Sequence, residues 1–176
     1  MTAANSVNGL DIKKFQKAVA LIATRKATRH APKKARIRWK SGFKFSALVR
    51  NHMFTIDEPA QLTGEDEYPN SMEYVLGALG ACLATGFVLL ASKANITIHN
   101  MEVTLESRQE NVLTFLGVEN EKGHSGFDQI SAKLYIQADA PEDVLTKLWH
   151  NALHTSPVGN SLVQNVAISP EIDVIS

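Results

Sequence analysis

The chain has 176 residues, 44% apolar and 20% charged, which fits one globular domain with a proper core and excludes a disordered polymer. One cysteine excludes an internal disulfide framework and a multi-cysteine zinc site, and the start "MTAANSVNGLDIKK" has no apolar core of signal-peptide length, so a cytoplasmic protein is expected. Net charge is zero, yet residues 1–40 hold 11 of the 18 Lys and Arg against one acid, Asp11. No run of aromatic residues interleaves those basic ones as a stacking surface requires, so the expectation is a basic helix lying on its own acidic body or on a partner subunit, not a nucleic-acid contact.

Residues 11–30 repeat apolar groups at Ile12, Phe15, Val19 and Ile22, the spacing of an amphipathic surface helix. Its cationic end, Arg25 to His30, suits the negative end of the helix dipole. The period then changes to two. "RIRW" (36–39), "FKFSALVR" (43–50) and "HMFTIDEP" (52–59) read as strands broken at Ser41-Gly42 and Asn51. A polar loop, "AQLTGEDEYPN", leads into a helix from about Ser71 to Lys93. Within it, Tyr74 to Ala91 is 18 residues without a charge, at the lower limit for a membrane span. Acidic residues crowd its start and no basic cluster flanks it, so the reading is a buried central helix, apolar all round, with no membrane partner.

Two further strands follow: "ITIHNMEVTLES", with Met101, Val103 and Leu105 on one face, and "ISAKLYIQAD", with Ile130, Ala132, Leu134 and Ile136 on one side. "APEDVLTKLWHNALH" predicts a helix with Pro141 at its first position and Glu142 and Asp143 in the first turn. "SPVGNSLVQN" predicts a short helix capped by Ser156, and "AISPEIDVIS" a closing strand. The order of strands, long helix, strands and helices indicates an α+β fold. His150 and His154 share a helical face at i, i+4, but the intervening "NAL" lacks the glutamate of a metalloprotease motif and no third ligand is evident, so no metal is expected. No phosphate-cradling glycine loop is present, and no cofactor is expected.

The reactive residue is Cys82, set in the small-residue run "LGALGACLATG". A free cysteine is usually buried and inert, so spacing alone leaves catalysis and burial both open. Small residues would let a second backbone approach closely, as across a dimer axis. Glu73 and Cys82 are nine residues apart, on opposite faces of one helix with roughly 13 Å of rise between them, so they cannot meet within a straight helix.

The stretch "DEPAQLTGEDEYPNSMEYVLGALGACLATG", with "HTSPVGNSL" much later, resembles the OsmC/Ohr family of thiol-dependent hydroperoxide reductases. The resemblance covers about residues 35–176 and leaves 1–34 as a basic helical extension. It implies an α+β, OsmC-like two-layer fold with a long central cysteine-bearing helix, forming an intertwined homodimer. It further implies reduction of organic hydroperoxides, with Cys82 as peroxidatic nucleophile, Glu73 as the positioning acid, and Arg50 or Lys44 as the activating cation. Where the family has its second cysteine this chain has Ser156, which cannot close a disulfide. A peroxidase here is then a one-cysteine enzyme regenerated by an external thiol. The alternative is a non-catalytic dimer of the same fold that binds a small apolar ligand at the subunit interface.

Overall fold

The structure, a computed structural model, describes residues 6–24, 32–164 and 166–174. It opens with a hairpin of β1 (Ser6–Val7) and β2 (Leu10–Asp11), followed by helix α1 (Ile12–Thr24). The hairpin turn is Asn8-Gly9, both with positive φ (52° and 77°), the conformation that an Asn-Gly pair adopts at little steric cost. The expected cationic end of the first helix, residues 25–30, lies outside the described residues. Along α1, Val19, Leu21 and Ile22 are exposed, and Lys13, Lys14 and Lys17 have no ion pairs among the described residues.

An antiparallel sheet comes next, in the order β3 (Arg36–Ser41), β4 (Lys44–Val49), β5 (His52–Ile56). A long helix, α2 (Ser71–Lys93), follows, then strand β6 (Ile98–Gln109), a one-turn helix α3 (Val112–Phe115) and strand β7 (Phe127–Ala138). Strands β6 and β7 pair antiparallel over almost their full length. Helices α4 (Glu142–Thr155) and α5 (Pro157–Val163) complete the set. The core lies where α2 and α4 cover one face of the β6–β7 ribbon. Phe87, Ala91, Ile96 and Ala152 are buried there, packed by Met101, Leu134, Ile136, Leu148 and Trp149. Phe87 and Trp149 meet edge-on with ring centroids 6.4 Å apart, a favoured aromatic geometry.

Three expectations are corrected. The predicted closing strand is absent: residues 166–174 carry no regular structure, with Ile168, Ile172 and Val174 exposed. A strand needs a neighbour to receive its hydrogen bonds, no described edge pairs with this segment, and Pro170 has no N–H to give. Pro141 is the N-cap of α4 and not its first helical residue, because its backbone is extended (φ −69°, ψ 155°). Helix α2 is not buried all round. Leu79, Gly80, Leu83, Phe87 and Ala91 face inward, whereas Glu73, Gly77, Ala81 and Thr85, at i, i+4 spacing, form an open stripe. By length and mean hydropathy (2.1) α2 could also cross a membrane, yet here its inner face is the centre of the core.

Candidate thiol site

Helix α2 is fixed at its start by a capping box. The Asn70 side chain accepts from the Glu73 N–H at 2.9 Å, and the Glu73 carboxylate accepts from the Asn70 N–H at 2.8 Å. Two orphan donors are thereby satisfied. "NSME" carries that signal in the sequence. The small residues further along have two separate causes. A Cβ on Gly80 would come within 2.7 Å of Leu105 Cδ1, and one on Gly86 within 3.4 Å of Ala152 Cβ, so these two let β6 and α4 approach the helix. A Cβ on Gly77 would meet nothing within 4 Å; its smallness is not required by packing inside the chain.

Cys82 is half-buried between those regions. The one side-chain hydrogen bond it makes among the described residues joins it to Ser156, whose Oγ lies 3.2 Å from Sγ. Ser156 is the N-cap of α5, with Pro157 at the first helical position as the sequence predicts, and its Oγ accepts the Gly159 N–H at 3.0 Å. Only 2% of Ser156 is exposed. Ser156 therefore faces Cys82 directly, across 74 positions of sequence. Beside this pair an apolar pocket of about 400 Å³ is lined by Leu79, Leu83, Trp149, Leu153, Gly159 and Val163, among others.

The other site residues stand apart from the thiol. Glu73 is exposed on the open stripe, and the one hydrogen bond of its carboxylate among the described residues is that of the capping box. Arg50 occupies the two-residue turn between β4 and β5, with φ 54° and an exposed side chain, and makes no described hydrogen bond or ion pair to Glu73 or Cys82. That turn is a full strand length, roughly 15 Å, from the Ile56 end of the hairpin. It is the Ile56 end that touches α2: the Tyr74 hydroxyl donates to the Thr55 carbonyl at 2.6 Å, and the Phe54 and Tyr74 rings lie 4.9 Å apart.

Lys44 sits at that nearer end, since its neighbour Phe45 pairs with Ile56. Its ammonium is held by Glu65 and by Glu67, the latter at 2.8 Å. The hydrogen bonds it donates, first to the Glu65 and then to the Glu67 carboxylate, raise its pKa well above the usual lysine range. The same loop is anchored from inside by Asp57, which is 1% exposed. Burial by itself would raise the Asp57 pKa. The backbone N–H groups of Glu58 (2.9 Å), Glu67 (3.3 Å) and Glu65 (3.4 Å), helped by the charge of Lys44, more than offset that and hold its carboxyl below the usual range. Glu58 is pushed the other way, by burial first and then by the charges of Asp57 and Glu73. Gly64 is obligatory in this loop, because a Cβ there would fall 1.7 Å from the Glu58 carbonyl oxygen.

The sequence alone assigns nothing to His99 and His124; the structure pairs them with Asp139 (2.7 Å) and Glu110 (2.6 Å). Among the described residues no cluster of three or more His, Cys, Asp or Glu is arranged to hold a metal ion.

The family model described as OsmC-like protein matches residues 64–171, a span that includes Glu73, Cys82 and Ser156. No curated protein matches the chain. Among solved structures, an OsmC-like protein from Mycoplasma pneumoniae superposes with a TM-score of 0.64 at 16% identity, covering 76% of this chain and 88% of that one. An organic hydroperoxide resistance protein OsmC from Legionella pneumophila gives 0.57 at 15% identity, covering 77% and 92%. An organic hydroperoxide resistance protein from Elizabethkingia anophelis gives 0.54 at 20% identity, covering 76% and 89%. At these identities the likeness is one of fold.

Proposed function

Because the chain belongs to the OsmC-like protein family, with its α+β fold and long cysteine-bearing helix, we propose that it is a thiol-dependent peroxidase that reduces organic hydroperoxides through Cys82. The observation that supports this reading is the contact between Cys82 and Ser156 at 3.2 Å, the two positions to which the resemblance assigns the handling of the oxidised sulfur, with a hydroxyl in place of a thiol at 156. The thiolate of Cys82 attacks the terminal peroxide oxygen, the O–O bond breaks, and the alkoxide leaves as the alcohol after taking up the proton the thiol had released. Cys82 is then a sulfenic acid. An external thiol attacks its sulfur, expelling water and forming a mixed disulfide, and a second thiol releases Cys82 with formation of the external disulfide. The balance is one hydroperoxide and two thiols giving alcohol, water and disulfide. A reducing cytoplasm supplies such thiols.

Completion of the site calls for a second copy of the chain. Glu73 and Cys82 lie on different faces of α2, and neither Arg50 nor Lys44 bonds to the thiol within one chain. The stripe of Gly77, Ala81 and Thr85 is open, and the sheet β3–β5 exposes Trp39 and Met53. An intertwined homodimer would bury these surfaces and bring Glu73, with a cation, to the partner's thiol.

The test is to treat the reduced protein with cumene hydroperoxide and trap the sulfenate at Cys82 with dimedone, locating the adduct by mass spectrometry. Equal peroxide consumption by wild type and Cys82→Ser would eliminate the reading. The apolar pocket of about 400 Å³ beside the pair favours a second reading, a non-catalytic dimer that holds a small apolar ligand. A ligand retained in native mass spectra together with an unreactive Cys82 would select it.

A further inference from the structure

Ser156 stands where a disulfide partner would be, and the structure gives it a function of its own. Its Oγ accepts the Gly159 N–H at 3.0 Å and lies 3.2 Å from Cys82 Sγ. A hydroxyl has one hydrogen to donate. With an acceptor site already taken by Gly159 and the residue almost wholly withdrawn from water, that hydrogen has the sulfur as its partner. A hydrogen bond to an ionised acceptor is stronger than one to its neutral form, so this donor favours the thiolate over the thiol.

We infer that Ser156 is a catalytic residue of the peroxidase: its hydroxyl donates to the reacting sulfur, sustaining the thiolate before attack, and its inability to condense with a sulfenic acid leaves resolution to an external thiol. The inference rests on the peroxidase reading for its chemistry, but the contact itself does not. No proton is transferred from Ser156 at any step, and the electrons that reduce the peroxide come from Cys82 and then from the external thiol.

Two substitutions test it. Ser156→Gly removes the hydroxyl while keeping a residue acceptable at a helix N-cap, so the fold should be retained. The profile of Cys82 alkylation by iodoacetamide, rate against reagent concentration in the reduced protein at neutral pH, should shift to slower reaction by roughly several-fold. An unmoved profile in a variant that melts like wild type overturns the inference. Ser156→Cys supplies the missing thiol: after one equivalent of cumene hydroperoxide the sulfur of Cys82 should form a disulfide with the thiol introduced at position 156, with loss of water, and dimedone trapping should disappear. A folded Ser156→Cys protein that still accumulates trappable sulfenate and no disulfide also overturns it, since position 156 would then not face the reacting sulfur. Failure of the underlying reading is distinguishable. Wild type that consumes no hydroperoxide, with the alkylation profile still shifted in Ser156→Gly, removes the peroxidase and leaves the hydrogen bond to sulfur standing.

Discussion

Replacing Asn8 by alanine should loosen the attachment of the first hairpin to the rest of the chain. The Asn8 side chain donates to Ser92 Oγ at 3.0 Å and to the Ile96 carbonyl at 2.9 Å, and accepts from the Ile98 N–H at 2.8 Å. One side chain thus ties β1–β2 to the last turn of α2, to the loop after it and to the first residue of β6. Three hydrogen bonds at about 0.5–1.5 kcal/mol each amount to roughly 1.5–4.5 kcal/mol. Asn8 also has φ 52°, a left-handed conformation that costs alanine about 1 kcal/mol more. Asn8→Gly loses the same bonds but tolerates that backbone, so it should be the milder change by about 1 kcal/mol. Urea unfolding of wild type and both variants gives the comparison, and amide hydrogen exchange at Ile98 reads the bond directly. If Asn8→Ala unfolds at the wild-type midpoint and the Ile98 amide stays protected, the hairpin is not held in this way and the reasoning fails.

Two further outcomes are expected. Asp57 has a lowered carboxyl pKa in the folded chain, so the stability it contributes is complete above its unfolded value, about 4, and is lost as pH falls through the folded value. The urea midpoint should therefore drop on acidification below about pH 4, and drop less in Asp57→Asn; equal acid sensitivity in the two proteins would refute the assignment. Ala81→Trp places a large ring on the open stripe of α2 without touching the core side of that helix; in the proposed homodimer, analytical ultracentrifugation should show this variant shifted from dimer toward monomer relative to wild type, and equal association of the two proteins would mean that this stripe is not the subunit contact.

How legible the molecule is in its sequence depends on how local each determinant is. The bounds of α2 are readable because "PNSME" carries a cap and its reciprocal acid while the run behind it has no charge or proline. Strands β3 to β7 are readable because each alternates over its own few residues, and Ser156 as an N-cap before Pro157 is a three-residue signal. Asn8-Gly9 is an equally local signal, yet the strands it joins are two residues each, too short to alternate. The closing strand fails for the opposite reason: Ile168, Ile172 and Val174 have strand-like character, but a strand exists only where another edge accepts it. Helix α3 escapes because four residues capped by Asn111 are too few to show a period. The Lys44 ion pairs and the three bonds of Asn8 join residues 21 to 90 positions apart, and no pattern within one segment announces them. For the site, the motif indicates that position 156 should be near Cys82, whereas the location of Arg50 at the far tip of its hairpin follows only from the register of β4 with β5.

The bond from Asn8 to Ile98 also sets an order of events during synthesis. The hairpin leaves the ribosome before its anchor, which is 90 positions downstream. At about 5–20 residues per second, the gap is roughly 5–18 s. A two-stranded ribbon is marginal by itself in water, so through that interval β1–β2 has no partner to hold it. The hairpin is secured only well after it is made, and its seal is a sign that α2 and the start of β6 are already in place.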